Sequence, residues 1–401
     1  MRDGDIAAHL TRRLLRVVAV GKASPFMAAA CSSSAFSEIR EGVVVGTHLA
    51  IVLPAPLVWL PAGHPLPDGR SVEAGRRSLE IAGRTDASET LLVLLSGGAS
   101  ALLAVPAGSL TLDDKRGAID ALLKAGADIT ALNTVRKHLS AVKGGRLAAA
   151  VPGRICCLAI SDVVGDDISV IGSGPTVPDP STYADAWRHV ERLGVKGHLP
   201  AAVVEHLQAG VQGRLEETPK PAGARLERSI TRVIGSRRDA MSGAREAAEE
   251  LGYTVSVLDE PVVGDARVAG PALVEKARTV VTETRRPACV IASGETTVCV
   301  TGKGRGGRNQ ELALSAAGAL AGRTEQVAFA SIGTDGIDGT TDAAGAFCDA
   351  TSIDRATVHG LEAAACLADN NSHRFFQVLD DLIVTGPTAT NVGDIQIVLF
   401  T

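Results

Sequence analysis

The chain has 401 residues, 45% of them hydrophobic and 21% charged, and carries a formal net charge of −5 at pH 7. That length exceeds one typical compact core, so two globular domains are expected, with enough apolar content to fill both. Mild acidity without a long basic run excludes nucleic acid and anionic membrane surfaces as principal partners.

In chain order, short apolar runs at Arg16–Val20, Gly42–Val45, Leu91–Leu95 and Ile155–Ile160 predict strands. Amphipathic stretches at Asp68–Ala82, Asp113–Ala125 and Ser181–Leu193 predict helices, the last with a Ser N-cap and a stop at Gly194. Strands without clean in/out alternation, interleaved with helices, predict an α/β fold whose mainly parallel or mixed sheets are flanked by helices on both faces. The uncharged segments Val43–Gly63 and Leu91–Leu112 are long enough to raise a membrane span. Pro54, Pro56 and Pro61 break the first, and Gly97, Gly98 and Pro106 the second, so both read as buried strands with loops. Met1–Arg16 has no apolar signal core, and a cytoplasmic protein is expected.

The polar Gly210–Arg228 segment, with Pro219 and Pro221, marks the expected boundary and gives domains 1–225 and 226–401. Beyond it, strands are predicted at Thr231–Gly235, Thr254–Leu258, Ala288–Ile291, Val327–Ile332, Asp381–Thr385 and Ile395–Phe400, and helices at Arg238–Leu251, Ala266–Thr284 and Asn309–Leu320. Seven cysteines with no C-x-x-C pair are expected as buried, reduced core residues.

Polar, glycine-bearing segments follow the predicted strands. Lys22, after Val20-Gly21, projects from a strand's C-terminal end, where open α/β sheets bind ligands. It reads either as a solvated turn or as a grip on phosphate or carboxylate. Ser96-Gly97-Gly98-Ala99-Ser100 follows another strand directly. The loop Thr301–Gln310, holding Gly306, Gly307, Arg308, Asn309 and Gln310, combines glycine amides with cations before a helix, the chemistry of an anion cradle or else a flexible turn. No Walker loop or dinucleotide fingerprint is present. Asn133 to Arg146 packs four cations and a histidine together, and on one helix Arg136, Ser140 and Lys143 would share a face. Asp162, Asp166 and Asp167 suit a hard cation or helix capping, and Asp335, Asp338 and Asp342 a second such loop or a series of Asx turns.

Taken in order, these segments resemble the class II glycerate kinases, whose C-terminal region is called the MOFRL domain. The likeness runs through Val20-Gly21-Lys22-Ala23, Ala62 to Asp68, Leu95 to Gly98, Asn133 to Arg146, Ser161-Asp162 with Gly165-Asp166-Asp167, Ser173-Gly174-Pro175-Thr176, Gly294-Glu295-Thr296-Thr297, Gly306 to Glu311, Gly333-Thr334-Asp335-Gly336 and Thr385-Gly386-Pro387-Thr388. The resemblance implies ATP- and Mg²⁺-dependent phosphorylation of D-glycerate, usually at the 2-hydroxyl, in a cleft between two α/β domains, by a monomer or homodimer. Lys22 and Arg308 match the family's catalytic cations. Asp335 is expected to orient or deprotonate the hydroxyl, and Asp162 and Asp166 to hold Mg²⁺. Substrate or nucleotide contacts are expected from Ser96, Gly97, Gly98, Ser100, Asn133, Arg136, Lys143, Gly174, Glu295, Thr296, Gly306, Gly307, Asn309, Gln310 and Asn391. Departures stand at Asn371, where a carboxylate is expected, and at Ala99, Ala292 and Ala389, where glycine is expected. They put nucleotide affinity in question and leave a degenerate sugar-acid binding protein as one alternative; the other is a nicotinamide-dependent hydroxypyruvate reductase, an activity in the same metabolic neighbourhood.

Overall fold

The computed structural model describes residues 6, 10, 13–33, 38–49, 51–221, 226 and 228–401. Most of the Met1–Arg16 segment and part of the Gly210–Arg228 crossing lie outside the described residues. Two compact units emerge, Met1–Ile160 with Asp166–Ile234, and Ser161–Gly165 with Gly235–Thr401. No described helix is long and apolar enough to cross a membrane.

The first unit contains strands β1 (Leu14–Val20), β2 (Glu38–Gly46), β3 (Leu57–Pro61), β4 (Thr90–Leu95), β5 (Arg154–Ile160) and β6 (Ser229–Gly235), in the order β3-β2-β1-β4-β5-β6. Pairing from β3 through β5 is parallel. Its helices are α1 (Ser24–Ser32), α2 (Gly69–Arg84), α3 (Ala99–Leu102), α4 (Leu112–Lys124), α5 (Ile129–His138), α6 (Arg146–Ala149), α7 (Tyr183–Arg192) and α8 (Ala201–Val211). Capping boxes start α2 at Asp68, α4 at Thr111 and α7 at Thr182, so α7 begins one residue later than the Ser181 signal suggests. Chain order runs outward in opposite directions from β1 and β4, which makes the gap between their C-terminal ends the topological switch point.

The second unit contains β7 (Thr254–Val257), β8 (Val262–Asp265), β9 (Ala288–Thr297), β10 (Val327–Gly333), β11 (Gly345–Asp349), β12 (Leu382–Ile383) and β13 (Asp394–Phe400). Their sheet is mixed: β7 and β8 run parallel to β9, and the remaining pairs are antiparallel. Helices α9 (Arg237–Glu250), α10 (Ala266–Val280), α11 (Arg308–Leu320), α12 (Ser352–Val358), α13 (Ala363–Ala368) and α14 (Ser372–Leu379) complete it. Helix α11 is almost wholly buried, and its Leu312, Leu314 and Leu320 pack with Phe329, Phe375, Phe376 and Phe400 in one core. Such burial explains why α11 lacks a polar face.

Several expectations are corrected. β6 pairs in the first sheet, so that unit continues past 225/226. The strand expected at Asp381–Thr385 shrinks to two residues. Helix α5 stops at His138, so Arg136, Ser140 and Lys143 do not share one helical face. Cys299 is exposed and Cys31 half-buried, whereas the other five cysteines are buried, and none of the seven is in a disulfide.

Candidate active site

At the switch point, Val20 of β1 pairs with Leu95 of β4. Gly21 sits at φ +125°, and a Cβ there would lie 2.1 Å from Ser96 Oγ, so only glycine lets the two strand ends approach this closely. The Lys22 amide then donates to Gly97 O at 2.9 Å. Ser96 is fully buried and its hydroxyl accepts from the Ala23 amide at 3.0 Å, so this side chain fastens the loops rather than facing a ligand. Lys22 remains half-buried at the end of β1.

Beyond Gly98, α3 carries Ser100 into a polar network. Lys143 Nζ donates to Ser100 O at 2.7 Å and Ser100 Oγ at 3.0 Å, while Ser100 and Ser173 hydroxyls lie 3.0 Å apart. Ser173 donates to Asn133 Oδ1 at 3.1 Å. Gly174 O accepts from the Gly145 amide at 2.7 Å, which ties the Lys143-Gly144-Gly145 turn to this segment. Buried Asn133 is thus a support, and half-buried Arg136 is the nearby cation with no hydrogen bond or ion pair among the described residues.

Sequence reasoning missed Lys115, whose buried ammonium donates to Val105 O at 3.3 Å. Burial, followed by the charge of Arg136, pulls it down to about 7. Because the folded value lies below the unfolded 10.5, the unfolded chain binds more protons between those limits, and folding stability rises with pH through that window. Lys115→Met is expected to flatten the rise in urea-denaturation stability between pH 7 and 10, and an unchanged slope would contradict a buried, strained Lys115.

The second unit presents the glycine loop, but its amides are less open than the sequence suggests. Asn370 Oδ1 accepts from Thr301 and Gly302 amides, both at 2.8 Å, and Asp369 Oδ1 from Lys303 at 2.9 Å. Asn371 Oδ1 accepts from the Arg305 amide at 3.3 Å, so the expected carboxylate is replaced by an amide that still straps the loop. At the start of α11 the Asp338 carboxylate takes the Asn309 amide at 3.0 Å, the Gln310 amide at 2.8 Å and Gln310 Nε2 at 2.9 Å. A Cβ on Gly307 would meet that carboxylate at 2.3 Å, which accounts for this glycine. The helix N-terminus therefore already holds an anion, Asp338, and the Asn309 and Gln310 side chains are buried supports. Burial pushes the Asp338 carboxyl up, against the hydrogen bonds from Gln310 and Asn309.

Arg308 is locked. Its Nε and NH2 donate to Asp394 Oδ2 and Oδ1 at 2.7 and 2.9 Å, and NH1 lies 2.8 Å from Glu295 Oε1. Desolvation opposes the charge, but the Asp394 hydrogen bond and charge, with Glu295, outweigh it and hold the guanidinium protonated. Asp394 was not foreseen, since an acidic residue opening a strand looks like ordinary punctuation. Asn391 Nδ2 donates to Asp162 Oδ2 at 2.9 Å, and Asp335 Oδ1 accepts from the Ile337 amide at 3.1 Å. Thr296 is buried with no partner for its hydroxyl.

Among the described residues no three His, Cys, Asp or Glu side chains converge as a metal cage. Asp166 Oδ1 is nevertheless buried without a partner. One or two carboxylates completed by phosphates and water are what Mg²⁺ uses, so the donor set fits that ion. A cavity of about 360 Å³ lined by Arg146, Tyr183, His206 and Glu217 contains none of the candidate site residues.

Of the departures, Ala99 and Ala292 turn their methyls into buried packing, Ala99 within 3.3 Å of the position a Gly172 Cβ would take. Ala389 is strained, at φ +58°. Ala389→Gly is expected to raise stability by about 1 kcal/mol, the left-handed cost of an L-residue less part of glycine's unfolded-state entropy. Urea denaturation tests this, and a loss of stability would show that the turn carries no strain.

The first part of the chain, residues 3–208, matches the model described as Domain of unknown function (DUF4147), and residues 288–394 match the MOFRL family. A D-glycerate 2-kinase of Thermotoga maritima is 39% identical over 95% of this chain and 89% of its own length. A protein of Agrobacterium vitis with a provisional hydroxypyruvate reductase name is 41% identical over 96% of this chain and 86% of its own. The crystal structure of a glycerate kinase from Thermotoga maritima matches with a TM-score of 0.87 at 38% identity, covering 99% of this chain and 94% of that one. Likeness of this depth and extent, joined to the ordered strand-end loops, means that the chain belongs to the glycerate kinase family with a C-terminal MOFRL region.

Proposed function

We propose that this protein transfers the γ-phosphoryl of ATP to D-glycerate, at the 2-hydroxyl. The observation that carries the reading is the full-length likeness to glycerate kinases together with a lysine at the β1/β4 switch point. In the first unit, Lys22 stabilises charge on the transferring phosphoryl, amides of Gly97 and Gly98 approach substrate oxygens, and Arg136 and Lys143 grip the carboxylate, with Ser96, Ser100, Asn133 and Gly174 holding them in place. For the second unit the same likeness assigns Arg308 to phosphoryl charge, Asp335 to orienting or taking the proton of the attacking hydroxyl, and the Gly306 and Gly307 amides to the nucleotide. Glu295, Asn309 and Gln310 hold Arg308 and the start of α11, and Thr296 and Asn391 are further candidates for substrate or nucleotide contact. Asp166, whose Oδ1 is buried without a partner, is the first unit's candidate ligand for Mg²⁺ and Asp162 the second unit's; the ion when bound would neutralise phosphate charge.

Release of ADP dependent on D-glycerate tests the proposal. The Agrobacterium name favours a second reading, reduction of hydroxypyruvate, against which the missing dinucleotide fingerprint after β1 counts. Loss of NADH absorbance with hydroxypyruvate, without glycerate-dependent ADP release, would replace the first reading by the second.

A further inference from the structure

Among the described residues, three cations of the first unit lack a counter-charge. Lys143 is 3% exposed and Lys115 7% exposed, yet both ammonium groups meet only neutral oxygens, those of Ser100 and Gly172 for the first and of Val105 for the second. The charges acting on Lys143 are those of Lys115 and Arg136, and on Lys115 that of Arg136; among the described residues no carboxylate acts on either. Lys137 provides the contrast. Equally buried and one residue from Arg136, it has Asp179 at 3.3 Å. The fold thus pairs one buried lysine and leaves a neighbouring cluster unpaired, although a buried charge is costly without a partner. The cluster also adjoins the switch point, because Ser100, which receives Lys143, lies in the helix that starts directly after Gly98.

We infer that Lys115, Arg136 and Lys143 form one oxyanion site that takes the carboxylate of the substrate, with Lys115 as a specificity-determining cation. The inference rests on the proposed reading of glycerate as substrate. Two ammonium groups, one guanidinium fork and the Ser100 hydroxyl match a two-oxygen anion. Burial, reinforced by the other cations, holds Lys143 well below the usual lysine range as it does Lys115. An arriving carboxylate reverses that balance, so binding takes up protons above pH 7.

The test is titration calorimetry of the full chain and of Lys115→Met and Lys115→Arg at pH 8, in two buffers of different ionisation enthalpy. The probes are D-glycerate, its neutral amide and inorganic phosphate, and KM values for glycerate and ATP are measured alongside. Wild type is expected to bind glycerate with proton uptake and the amide far more weakly. Lys115→Met should lose glycerate affinity by about tenfold or more, raise KM for glycerate with KM for ATP unchanged, and take up fewer protons on binding than wild type, whereas Lys115→Arg retains part of the affinity. Folding of each variant is checked by its denaturation midpoint. Undiminished glycerate binding in folded Lys115→Met, no glycerate binding by wild type, or loss of phosphate binding alone would overturn the assignment, the last giving the site to phosphate. Lys115-dependent glycerate binding without phosphoryl transfer would instead leave this inference standing and remove the kinase reading.

Discussion

Lys22→Met is expected to lower kcat for glycerate phosphorylation by about 10²–10³-fold, the effect of removing one group aimed at developing transition-state charge. The position supports this size of effect. Lys22 lies where β1 and β4 part, its amide is fixed to Gly97 O at 2.9 Å, and Gly21 admits no other residue, so the main chain sets where the ammonium starts. Those restraints belong to the backbone, and a half-buried methionine keeps them. The variant is therefore expected to fold. Steady-state kinetics and urea denaturation on the same preparation separate turnover from folding. A folded Lys22→Met enzyme with undiminished kcat would take Lys22 out of the reaction.

Arg308→Met should impair both activity and stability. The guanidinium makes a two-point contact with Asp394, whose carboxylate is wholly buried, while Arg308 itself is 31% exposed. Removing the cation strands that carboxylate, and breaking a buried pair costs about 3 kcal/mol at the lower end of the usual range, the end suited to a partly solvated arginine. A simple alanine or methionine change is therefore ambiguous by itself. Adding Asp394→Asn removes the stranded charge and is expected to recover most of the stability while leaving kcat low by about 10²-fold or more. Recovery of both in the double variant would make Arg308 purely structural.

Strands that the sequence made legible are those whose apolar runs end in a polar glycine turn, as at Val20-Gly21-Lys22 and Leu95-Ser96-Gly97. Their termini locate the switch point, so half of the candidate site could be read from residues alone. β8 and β11 were not legible, and β3 only as an unbounded strand within Val43–Gly63: β3 contains Pro61 within five residues, β8 is four residues long and partly exposed, and β11 starts with glycine after a loop of aspartates. β6 misled because it follows a polar, proline-bearing segment, whereas backbone pairing with the first sheet decides its place. The glycine loop shows a deeper limit. Its composition promises open amides, but Asn370 and Asp338, distant in sequence, fill several of them. Lys115 was invisible for the opposite reason, since a lysine on an amphipathic helix is ordinarily solvated, and only packing shows that this one is enclosed beside two other cations.

The reaction proposed is phosphoryl transfer from ATP to the 2-hydroxyl of D-glycerate. Incubation of the protein with D-glycerate, ATP and Mg²⁺, each omitted in turn, followed by ³¹P NMR of the products, tests it most directly. The expected result is a 2-phosphoglycerate resonance that requires all three components. Absence of any phosphoglycerate from folded protein would exclude this kinase activity, and a resonance of 3-phosphoglycerate alone would exclude transfer to the 2-hydroxyl.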